Sequence, residues 1–166
     1  MKHLVTPLLA LSLAACTTTP QVATPSHPEA KSYAVSEDAG ADVDAALERA
    51  MASGKHVLLV MGANWCHDSR ALAGWLETPR FKELVEAEYE LVFVNVGLPQ
   101  TGDGHNLDIA HRFGLEKPEG TPNVLVLTPF GTLVNADTAT TWRNAASRSE
   151  DEIYDGLAAL AEADPA

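Results

Sequence analysis

The sequence predicts an α/β domain built on a mixed central sheet flanked by helices. Three observations carry this. Short apolar runs at residues 57–61, 91–96 and 124–127 have the length and continuity of strands buried on both faces. Stretches of helical period separate them, so the strands joined through helices run parallel. A Pro129-Phe130-Gly131 turn then sends the chain back through residues 132–135, which adds an antiparallel hairpin partner.

Each element has its own signal. Over residues 41–53, Val43, Ala46, Leu47, Ala50 and Met51 fall on one stripe, and Gly54 supplies the stop. The run 57–61 is the first strand. Residues 62–65 turn the chain, and a helix begins near Cys66 with Leu72, Trp75 and Leu76 as its core stripe. Thr78-Pro79 breaks this helix and starts another, with Thr78 at the N-cap and Pro79 at the first helical position, to about residue 88. Residues 91–96 are the second strand. A loop with three glycines and a proline spans 97–106, and a short helix over 107–113 stops at Gly114. The last helix, 150–163, carries Ile153, Leu157 and Leu160 on one face. No internal repeat is visible.

The chain has 166 residues, 46% of them hydrophobic, which suits one domain plus extensions. Its formal charge is −12. Nucleic acid is excluded as a partner on this ground, because phosphate contacts need clustered Lys and Arg.

The N-terminus reads as an address. Met1-Lys2-His3 is a short positive start, and the apolar run 4–15 is too short to span a bilayer comfortably. It ends in Leu13-Ala14-Ala15-Cys16, which resembles the lipobox of bacterial lipoproteins. The resemblance implies a signal peptide over residues 1–15, cleavage before Cys16, and lipid on Cys16. Thr17, in place of Asp, implies the outer membrane by the sorting rule of Gram-negative lipoproteins, with the protein facing the periplasm. Several acyl chains give stable anchoring where one does not. Residues 17–38 are rich in Thr, Pro, Ser and Ala with no apolar period. With Cys16 they are expected to form a tether without regular structure, spanning about 25 Å or more if coil-like. The folded domain is then expected over 39–166.

Cys16 and Cys66 are the two cysteines. Cys66 lies where the first strand gives way to a helix. Backbone N–H groups and the helix dipole favour an anion there, so the position favours a thiolate. Ser69, one turn on, has a hydroxyl expected to reach that thiolate. His67 adds positive charge at acidic pH. Asp68 is expected to cap the helix start, with tuning of Cys66 as the other reading. Cys66, His67, Asp68, His105 and His111 are conceivable metal ligands. Adjacent Cys66-His67 cannot easily chelate one tetrahedral ion, however, and no Cys-x-x-Cys spacing exists. No metal and no cofactor are expected. Trp75 is expected in the core, and Trp142-Arg143-Asn144 in packing and capping.

The junction Trp65-Cys66-His67-Asp68-Ser69 resembles the Trp-Cys-x-x-Cys of the thioredoxin superfamily. The run Glu119-Gly120-Thr121-Pro122-Asn123-Val124-Leu125-Val126-Leu127 resembles the superfamily stretch in which a cis-proline precedes a strand and faces the active cysteine. The resemblance covers about residues 40–163. It implies a thioredoxin-like fold with a cis-proline at Pro122 before a hairpin strand. It implies Cys66 as the nucleophile, and a substrate groove beside Trp65, Pro122 and the Thr121 backbone.

Three departures matter. Ser69 stands where the second cysteine is, Val60 where thioredoxins carry a buried acid, and Phe93 near where they carry a lysine. The chain therefore looks like monothiol members of the superfamily. Such members include the Cys-x-x-Ser anterior-gradient type of disulfide isomerase and bacterial thioredoxin-like proteins with a helix broken soon after the active site. The expected activity is monothiol thiol–disulfide exchange, isomerase-like or deglutathionylating. Its substrates would be protein or low-molecular-weight disulfides, and an external thiol such as glutathione would complete the cycle. The alternative is a redox-inactive binding scaffold in which Cys66 is a small buried hydrophobe.

Overall fold

The computed structural model describes residues 27–163. The expected signal peptide, Cys16 and the first part of the tether lie outside the described residues. Among those described, no helix is long and apolar enough to cross a membrane.

The central strand is β1, His56–Gly62, which is buried at every residue after His56. It pairs in parallel with β2, Tyr89–Asn95, as expected of strands joined through helices, but antiparallel with β5, Asn123–Leu127, which reverses the parallel course expected of that run; the order is β2-β1-β5. The period of two along β1 divides the core. Val57, Leu59 and Met61 meet α1, Ala39–Ser53, and α4, Leu107–Arg112, on one face. Leu58 and Val60 meet α2, His67–Leu76, α3, Pro79–Glu88, and α5, Glu150–Ala161, on the other. This two-faced burial is why β1 reads as an unbroken apolar run. Two helix starts, those of α1 and α5, are capped by side chains. Asp38 accepts from the Ala41 N–H at 2.9 Å, and Ser149 and Glu152 form a reciprocal capping box at the start of α5.

Three further expectations change. The loop 97–106 contains a small hairpin, β3, Gly97–Leu98, paired with β4, Asp103–Gly104, around a 3-10 turn. The hairpin partner expected at 132–135 forms no full strand. It makes a single bridge, Leu127 to Leu133, and the Val134 N–H donates to Val126 O. The buried Asn135 side chain then takes over the ladder. Its Oδ1 accepts from the Val126 N–H at 2.8 Å and its Nδ2 donates to Val124 O at 2.9 Å. A side chain thus satisfies the β5 edge, and the backbone is free to leave toward the 3-10 segment Thr141–Ser147.

The third change is at the start of the domain. Residues 28–34 have no regular secondary structure, yet Tyr33 is 1% exposed. The segment lies across α2 as a strap. The Ala30 N–H donates to Arg70 O, and a Cβ on Gly74 would sit 2.5 Å from the Pro28 carbonyl carbon. The tether expected to run to residue 38 therefore meets the fold well before it. One buried aromatic outweighs the low average hydropathy around it.

Candidate active site

Cys66 is the N-cap residue of α2, held there by a tight turn. Its N–H donates to Ala63 O at 3.1 Å, and its carbonyl accepts from the Arg70 N–H at 3.0 Å. Cys66 as a residue is 8% exposed, and its Sγ donates to Thr121 O at 3.3 Å. The Thr121–Pro122 peptide bond is cis. The two segments singled out in sequence, about 55 residues apart, thus meet at the thiol.

Trp65 stands beside it, 46% exposed, with Nε1 donating to Gly97 O at 2.7 Å. That bond ties the loop 97–106 to the site. Together they bound a groove of about 300 Å³. Its walls include Trp65, Val96, Pro99, Leu107 and Pro118, and Thr121 lies along it.

Ser69 does not take the role expected of its hydroxyl. It is fully buried, and Oγ accepts from the Ala63 N–H at 3.4 Å; no hydrogen bond joins it to Cys66 Sγ. The reason is packing: Oγ is turned toward the backbone at Gly62, where a Cβ would lie 2.6 Å from it. Asp68 does not cap its own helix either. Its Oδ1 accepts from the Ala146 N–H at 2.9 Å, which fastens the 3-10 segment to α2, and His67 Nε2 lies 3.2 Å from Oδ2. Val60 and Phe93 are register partners across β1 and β2, so both proton-handling positions of a dithiol reductase are apolar and adjacent. Trp142 is buried with the Arg148 guanidinium 4.9 Å from its ring centroid, a packing arrangement. Among the described residues, no three His, Cys, Asp or Glu side chains converge.

The structure adds residues that sequence reading missed. Arg70 Nη1 donates to both Asn64 O and Trp65 O at 3.1 Å, and its Nε donates to Glu29 at 3.0 Å. A planar guanidinium suits this task because its donors leave in fixed directions. Arg70 also holds the Glu29 carboxyl below the usual carboxylate range, chiefly through that hydrogen bond. Asn64 exchanges two hydrogen bonds with the Tyr33 backbone, accepting at 3.2 Å and donating at 2.9 Å, while Asn95 Nδ2 donates to Tyr33 O at 3.0 Å. The Tyr33 hydroxyl donates to Ser69 O at 3.2 Å, and burial pushes its ionisation up. Strap, turn and helix start are one hydrogen-bonded unit. Arg70, four residues after Cys66, was visible as a helical neighbour, but its partners belong to other segments.

A model of the family described as thioredoxin-like matches residues 38–129. The chain is similar to a crystal structure of a disulphide isomerase from Xylella fastidiosa Temecula1. The two share 32% identity over 78% of this chain and 96% of that one, with a TM-score of 0.70. No curated protein gives a significant match. The mixed sheet, the cysteine at the start of α2 and the cis Thr121–Pro122 bond, whose Thr121 carbonyl meets its thiol, are thus accompanied by similarity over most of the chain, and the chain belongs to the thioredoxin-like family.

Proposed function

We propose that this protein carries out monothiol thiol–disulfide exchange in the cell envelope, anchored through lipid on Cys16. One observation carries the exchange. A single thiol stands at a helix N-terminus against the cis Thr121–Pro122 bond, with buried Ser69 where a second thiol would release the substrate. The Cys66 thiolate attacks one sulfur of a substrate disulfide; the substrate S–S bond breaks, a mixed disulfide forms, and the departing thiolate takes a proton from water. A thiolate from elsewhere on the substrate, or from a separate molecule such as glutathione, then attacks the substrate sulfur and returns Cys66 as thiolate. The first route isomerises, and the second transfers the disulfide to the separate thiol. Similarity to a disulphide isomerase supports this reading.

Intact-mass measurement tests it. With a peptide disulfide, the protein is expected to gain one peptide at Cys66, stable until glutathione is added. A second reading, a binding scaffold, is favoured by the near-complete burial of the thiol. Absence of any adduct would establish that reading instead. The anchor rests on Leu13-Ala14-Ala15-Cys16. The N-terminal peptide of protein from the envelope is expected to begin at Cys16 and carry acyl mass, and an unmodified Cys16 would remove the anchor.

A further inference from the structure

A second cleft lies between the 3-10 segment Thr141–Ser147 and α5, and it shares no lining residue with the groove beside Cys66. It holds about 250 Å³ and is lined by Trp142, Arg148, two threonines and the Gly156, Ala159 and Leu160 side of α5. Gly156 is where α5 comes closest to the indole: a Cβ there would lie 3.2 Å from Trp142 Cη2 and 3.7 Å from Cζ2. Trp142 is buried, and its Nε1, two bonds from Cζ2, meets no acceptor among the described residues.

Arg148 sets the chemistry of this cleft. Arg49, Arg70, Arg80, Arg112 and Arg143 each lie 2.6–3.9 Å from a carboxylate. Arg148 pairs with none among the described residues, in a chain whose formal charge is −12. Neutral groups hold it in place instead. Its Nε donates to Asn144 Oδ1 and its Nη2 to Thr141 O, both at 2.9 Å, and Cζ stands 4.9 Å from the Trp142 ring centroid. Nη1 donates to nothing among the described residues. Glu152 is four residues on, but its Oε2 accepts from the Ser149 N–H and hydroxyl, both at 2.8 Å. A half-buried guanidinium fixed with a spare edge is ready for a carboxylate, and the bond is charge-assisted. A carboxylate oxygen is also the kind of acceptor that the Trp142 N–H lacks. Beside it, Ala159 and Leu160 reward an apolar body by taking it out of water. A cationic ligand meets the Arg148 charge and is repelled.

We propose that this cleft is a binding site for a small apolar monocarboxylate, of the chemistry of a medium-chain fatty acid, with the carboxylate on Arg148 and the tail along Ala159 and Leu160. The site is independent of the thiol and of the exchange reading above.

The test is a titration of the full mature chain at neutral pH, followed by the assigned indole N–H resonances of Trp65, Trp75 and Trp142. The probes share a tail or a head: octanoate, octanol, octylamine and acetate. Octanoate is expected to shift the Trp142 resonance and to leave that of Trp65, in the other groove, in place. Octanol is expected to bind about tenfold more weakly, the scale of one charge-assisted pair of hydrogen bonds. Acetate, which has no tail to bury, is expected to fall at least about tenfold below octanoate, and octylamine to give no shift. Arg148→Gln is expected to bring octanoate down to the octanol level while octanol stays within about twofold, which shows the cleft intact. Ala159→Glu, at an exposed helix position, places an acid against Arg148 without touching the core. It is expected to weaken octanoate by about tenfold and octanol by about twofold or less. A shift confined to Trp65, equal affinity for octanoate and octanol, or octanoate binding unchanged in Ala159→Glu would each overturn the proposal.

Discussion

Ser69→Cys is expected to release a substrate unaided where the wild type is expected to keep it in the mixed disulfide. Position 69 is the third residue of α2, one turn from Cys66 and fully buried. The glycine at 62 leaves space beside it that any Cβ would fill. A thiol at 69 attacks Cys66 Sγ in the mixed disulfide, forms an intramolecular disulfide, and expels the substrate thiolate. Intramolecular attack proceeds at an effective concentration of millimolar or above, so release outpaces micromolar external thiol by on the order of 10²-fold or more. The measurement is the lifetime of the peptide adduct without added thiol. The adduct is expected to persist in the wild type and to vanish in the variant, whose mass then falls by two hydrogens. Persistence of the adduct in both proteins would mean that position 69 is not aligned on Cys66, and that the apolar pair Val60 and Phe93 is a deeper departure than the missing thiol.

Tyr33→Ala is expected to cost about 3–5 kcal/mol of stability, the range for removing a buried aromatic side chain. The ring packs edge-on to Phe93, with centroids 5.2 Å apart at 78°, and rests under Gly62. Tyr33→Phe keeps the ring and loses only the hydroxyl bond to Ser69 O, so about 1 kcal/mol is expected. Urea unfolding with an unchanged slope reads both. A cost below about 1 kcal/mol for the alanine variant would show that the strap contributes little to the fold. The ring, rather than the phenol, is the main support because burial of apolar area exceeds the net worth of one hydrogen bond.

The elements that sequence reading placed well are those whose signals are local. The strands at 57–61 and 124–127 are apolar throughout because both faces of the sheet are covered. Thr78-Pro79 and Gly54 mark helix ends by backbone chemistry alone. The meeting of Trp65, Cys66, Thr121 and Pro122 came from family resemblance, and nothing in periodicity predicts it. What escaped is non-local. Asn135 replaces a strand with two side-chain bonds, and no hydropathy pattern encodes that. Asp68 has the composition of a cap but finds Ala146, 78 residues away. The Ser69 hydroxyl is turned by packing toward Ala63. Tyr33, Asn64, Asn95 and Arg70 each look like ordinary polar or aromatic residues until the fold assembles them.

The strap has a consequence best put in the language of ligands. Residues 28–34 bind the site's own turn and helix as a peptide would, and the covalent link to α1 keeps them there. Residues 34–38 join the two, and Val35 is 78% exposed. The link makes docking intramolecular, at an effective concentration of roughly millimolar for a short connection. A protease that cut this exposed stretch would turn the strap into a separate molecule, free to dissociate on dilution. The geometry of the turn around Cys66 would then depend on the concentration of a peptide that had been part of the same chain.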